Sequence, residues 1–106
     1  MCIRDRFWVD QYAYLLKRLD SMQEGDSTVL DNSCIMMANE QWTAHNAPKV
    51  PLLLSGGLGG DLTTGRSLDY EQSDNRKMCS LYLALMQRMG HQLEEFGNST
   101  SHLAEL

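Results

Sequence analysis

Glu40 and His45 are the two side chains of this 106-residue chain whose types and spacing point most directly to chemistry. They fall in Asn39-Glu40-Gln41-Trp42-Thr43-Ala44-His45-Asn46-Ala47-Pro48-Lys49. Apolar runs flank that passage, Ser33-Cys34-Ile35-Met36-Met37-Ala38 before it and Val50-Pro51-Leu52-Leu53-Leu54 after it. A carboxylate and an imidazole thus sit on a loop leaving a strand, where α/β proteins usually hold ligands and metals. Carboxylate oxygen suits hard divalent ions, and neutral imidazole suits zinc. Two ligands do not complete a zinc centre, which takes about four, or three plus water. By spacing alone the simpler assignment is local: Glu40 caps or pairs nearby, and His45 hydrogen-bonds its loop. Trp42 between them reads as a lid or packing residue.

Arg66 has the planar fork that clamps a phosphate or sulfate. It also reads as an exposed structural arginine in a hairpin. Ser55-Gly56-Gly57-Leu58-Gly59-Gly60 invites a phosphate-loop reading, but neither a Lys-[Ser/Thr] ending nor a G-x-G-x-x-G register is present. Four glycines here predict a tight, close-packed turn. Cys2, Cys34 and Cys79 are odd in number and form no C-x-x-C pair or zinc spacing, so they read as free thiols. His91 and His102 read as solvated. Asn98-Ser99-Thr100 fits a glycosylation sequon and reads here as a turn.

The elements that must position these residues follow from periodicity. Trp8, Tyr12, Leu15, Leu16, Leu19 and Met22 recur at helical spacing, predicting an amphipathic helix from Phe7 to about Met22. At that spacing Phe7, Trp8, Tyr12 and Tyr14 read as core packing rather than a ligand box. Gly25 predicts a helix stop and turn, and Asp31-Asn32-Ser33 a second turn. The run to Ala38 is apolar throughout, which predicts a central strand buried on both faces. Eleven residues separate it from Val50-Leu54, too few for a helical crossover, so either the two pair directly as antiparallel strands or another strand lies between them. Residues 62–68 read as a small hairpin or irregular arm around Gly65. A last helix is predicted from Asp74 or Asn75 to Met89, with Met78, Leu81, Tyr82, Leu85, Met86 and Met89 on one face and Gly90 at C′. The segment from Phe96 onward reads as a polar surface tail.

Composition narrows the class. The formal charge is −5, with nine Lys and Arg forming no stripe, which argues against a nucleic-acid partner. No apolar stretch approaches the ~20 residues of a transmembrane helix. Met1-Cys2-Ile3-Arg4-Asp5-Arg6 reads as an adapter-derived, non-native string of the kind that recurs at the ends of metagenomic sequences, and is set aside like a tag. Residues 7–106 then start inside a helix, as in a C-terminal fragment of one α/β domain.

From Trp8 to Leu106 the chain resembles the C-terminal part of the HXXSHH family, bacterial proteins of planctomycete type. The residues that carry the resemblance run in order. They are Gln11-Tyr12-Ala13-Tyr14-Leu15-Leu16, Glu24-Gly25-Asp26, Leu30-Asp31-Asn32-Ser33, Asn39-Glu40, His45-Asn46 and Val50-Pro51. They continue through Gly56-Gly57, Gly59-Gly60, Thr64-Gly65-Arg66, Leu81 and Gly90 to Phe96-Gly97-Asn98-Ser99-Thr100. That family looks like an outlying branch of the alkaline-phosphatase-like superfamily, which includes sulfatases and phosphomutases. The resemblance implies an α/β fold with a mixed sheet flanked by helices, and metal-binding acids and histidines on loops beyond the strand ends. It is what raises Glu40 and His45 to candidate ligands of a divalent metal. Asn39-Glu40-Gln41 departs from the Asp-His-Gly that the superfamily often places there. The histidine-rich motif that names the family is absent, so it and the nucleophile would belong to an N-terminal part of the same protein, the partner this fragment lacks. Two functions follow: a periplasmic or secreted metal-dependent phosphatase- or sulfatase-like hydrolase, inactive as this fragment alone, or a non-catalytic envelope binding or structural module of the same fold.

Overall fold

The computed structural model describes residues 2–40, 48–103 and 105–106. It is of mixed α/β type, with two helices and two small antiparallel sheets. The chain divides into two units, Met1–Thr64 and Gly65–Leu106. No helix among the described residues is long and apolar enough to cross a membrane.

The first unit opens with α1, Cys2–Asp20. Asp5 in its first turn and Lys17 and Arg18 in its last complement the helix dipole. The helix starts earlier than the apolar spacing predicts and ends two residues sooner, where the Ser21 hydroxyl donates to the Arg18 carbonyl at 2.7 Å. Tyr12, Leu16 and Leu19 form its half-buried stripe. The Tyr12 hydroxyl donates to the Ile35 carbonyl at 2.9 Å, tying the helix to the larger sheet. Contrary to the core assignment of the aromatic cluster, Phe7, Trp8 and Tyr14 are 53%, 60% and 64% exposed. Tyr14 lies between the half-buried Tyr12 and Leu16 but about 200° round the helix from Tyr12, so it faces away from them. Trp8 shares the face of Tyr12 one turn earlier, beyond the bond to Ile35.

A two-residue hairpin follows, β1 (Gln23–Glu24) and β2 (Ser27–Thr28), paired antiparallel around Gly25 at φ +62°. Gly25 therefore makes the hairpin tip, not the helix cap. Strands β3 (Ile35–Ala38) and β4 (Leu52–Ser55) pair antiparallel, with Ile35 opposite Ser55 and Ala38 opposite Leu52. That is the pairing the short connection requires. The Asn39 amide bonds the Pro51 carbonyl at 3.3 Å and carries the ladder one step further. A central strand buried on both faces is not formed. Ile35 and Met37 are half-buried while Met36 and Ala38 are exposed, because β3 has one partner strand among the described residues.

Two turns lock together beside this ladder. In the first, the Thr28 amide bonds the Asp31 carboxylate at 2.9 Å and the Asp31 amide bonds the Thr28 hydroxyl at 3.1 Å. Asn32 steadies it by donating to the Glu24 carboxylate at 2.8 Å. The second turn leads from β4 into a 3₁₀ turn at Leu58–Gly60. Its successive amides of Gly57, Leu58 and Gly59 bond the carbonyls of Leu30, Ser33 and Asp31 at 3.2, 3.0 and 2.9 Å. A Cβ on Gly56 would collide with the Ser33 carbonyl oxygen, and one on Gly57 would lie 2.5 Å from that of Asp31.

The second unit is an irregular arm, helix α2 (Met78–Arg88) and a tail folded back on it. Leu81, Leu83, Ala84 and Leu103 are its buried apolar residues. The predicted stripe is thus rotated: Leu81 is buried, Met78, Tyr82, Leu85 and Met86 are half-buried, and Met89 is 64% exposed. Helix α2 also starts later than expected. Asn75 is not its cap, because the side-chain amide donates to Ser101 and His102 of the tail and its oxygen accepts from the Ser80 hydroxyl at 2.6 Å. Lys77 takes the N-cap position in extended conformation, without a side-chain cap bond. At the other end Gly90, φ +90°, occupies C′ of a Schellman motif, with His91 N to Met86 O at 3.0 Å and Gly90 N to Gln87 O at 3.1 Å. The tail lies mostly over the surface, as its polarity predicts, but is pinned at two points. Ser99 and Leu103 are buried, and Ser99 meets the Ser80 hydroxyl.

Substituting the glycines separates the two costs of the locked turns. Gly59→Ala meets open space and should cost about 1–2 kcal/mol, the strain of an L-residue in the left-handed region. Gly56→Ala combines φ +96° with a backbone collision and should cost clearly more. Urea unfolding measures both, and equal effects would mean that the turns are not packed as described. In the second unit, Asn75→Ala should destabilise α2 by about 0.5–1.5 kcal/mol, by removing an acceptor of the Ser80 hydroxyl and the amide bonds to the tail. Amide hydrogen exchange at Leu83 and Ala84 reads this directly.

Candidate functional site

Strand β3 ends at Ala38, and Glu40 lies two residues beyond it, exposed, next to the last bond of the ladder. The ladder and the Asn39–Pro51 bond fix the backbone that carries it. Its carboxylate makes no hydrogen bond or ion pair with another described residue. His45 and Trp42 lie outside the described residues, so the shared approach of Glu40 and His45 to one cation does too. Among the described residues, no three His, Cys, Asp or Glu side chains converge on a point where a metal could sit.

Arg66 belongs to the second unit, whereas Glu40 belongs to the first. Arg66 is exposed on the irregular arm, without the hairpin. Its charge acts on Tyr70. Burial and then the Glu105 carboxylate push the Tyr70 hydroxyl above its ordinary pKa, and the Arg66 guanidinium partly offsets them.

The glycine turn is not an anion site. A phosphate loop works by aiming successive free amides at the ligand. Here the amides of Gly57, Leu58 and Gly59 are all engaged by carbonyls of the 30–33 turn. The close-packed reading holds. In the second unit, Ala84, Gln87, Arg88 and His102 line an open recess of about 290 Å³. Two of its side chains are engaged by backbone: Gln87 donates to the Leu93 carbonyl at 2.7 Å, and Arg88 to that of Leu106.

Three positioning groups were missed in the sequence. Thr28-x-x-Asp31 has the spacing of a reciprocal capping pair, which was a readable signal. The Tyr12 bond to β3 and the Asn75–Ser80–Ser99 cluster join residues far apart in the chain and leave no local mark. No family model, curated protein or solved structure matches this chain.

Cys34 precedes β3 as a half-buried free thiol, and burial pushes its pKa up. The raised value favours the neutral thiol in the folded state. That contribution is complete below the unfolded pKa and is lost as pH rises through the folded one. In a chain carrying Cys2→Ser and Cys79→Ser, the pH midpoint for iodoacetamide alkylation should therefore lie above that of the same chain in urea. A folded midpoint at or below the unfolded one would show that Cys34 is not desolvated.

Proposed function

We propose that this chain is the C-terminal part of an HXXSHH-type protein of the alkaline-phosphatase-like superfamily, and that its parent is a metal-dependent phosphatase- or sulfatase-like ester hydrolase. One observation carries the reading. Glu40 lies exposed immediately past the end of a strand ladder, on backbone that the Asn39–Pro51 bond fixes. The ordered resemblance supplies the chemistry for that position.

In this reading Glu40 gives one oxygen ligand and neutral His45 one nitrogen ligand to a divalent cation. A cation so bound supplies charge stabilisation at the ester oxygen. The remaining ligands and the nucleophile come from the N-terminal part of the protein, because Glu40 and His45 alone make half a coordination shell.

Two assays test this. The 106-residue chain alone should hydrolyse generic phosphate and sulfate esters at background rates with zinc, manganese, magnesium or calcium. Metal-dependent turnover that vanishes in both Glu40→Ala and His45→Ala would show instead that the site is complete within it. The longer gene product should turn over one of these esters and lose activity to a chelator. There, Glu40→Ala and His45→Ala should each weaken metal affinity by more than the roughly 10–100-fold that losing an outer-shell partner costs. A folded, metal-free and inactive parent would favour the non-catalytic binding module, for which the exposed aromatics of α1 supply an adhesive surface.

A further inference from the structure

We draw no further inference here: the strongest candidate, the outward apolar face of α1 carrying Phe7, Trp8 and Tyr14, is an unpartnered surface, and nothing in the structure shows what covers it.

Discussion

The first unit depends on backbone groups meeting backbone groups where side chains cannot fit. Three successive amides of the glycine turn bond three carbonyls of the 30–33 turn, at 2.9 to 3.2 Å. Such an approach demands that Gly56 and Gly57 lack a Cβ. It also holds Leu58 at φ +48°, a conformation that costs an L-residue about 1–2 kcal/mol. Each bond returns about 0.5–1.5 kcal/mol net, so three of them offset that strain. The arrangement persists because the contacts together over-determine it.

That lock sets the sheet as well. The 30–33 turn leads into β3, and the glycine turn leaves β4, so fixing one on the other brings Ile35 opposite Ser55. Register matters because a slip of one residue would invert every side chain along the strand. A four-residue ladder with its faces only partly covered has little hydrophobic pattern with which to hold its own register. The locked end supplies that information, and the Tyr12 bond to Ile35 ties α1 to the same point.

What could be read in the residues was whatever local chemistry decides. Antiparallel pairing followed from connection length, the close-packed turn from four glycines, and the Schellman end of α2 from Gly90. The errors have a common cause. Asn75 is a competent helix cap by type, yet carbonyls some 26 residues away in the sequence recruit its amide. The apolar runs in α1 and β3 promised burial, but burial depends on how much partner surface exists, and a two-stranded sheet offers little. For the candidate site, the strand-end placement of Glu40 was legible. So was the exposure of Arg66 on an irregular arm around Gly65, one of the two forms that the segment's lack of periodicity allowed.

The second unit solves a different problem with polar groups. An 11-residue helix is too short to be stable alone and must draw its stability from packing. Its most buried positions include Ser80 as well as Leu81, Leu83 and Ala84, so the tail must satisfy a hydroxyl while covering an apolar face. It does both. Ser99 meets Ser80, Leu103 fills the apolar surface, and its amide bonds the Ser80 carbonyl at 3.3 Å. Gly97, at φ +58°, lets the tail turn against α2, where a Cβ would come within 2.7 Å of the Cys79 sulfur. Close approach at a glycine thus recurs in both units, but it meets backbone in the first and a movable thiol in the second. A Cβ at Gly56 or Gly57 would push apart the turns that close the ladder, and the strand end carrying Glu40 would lose its support.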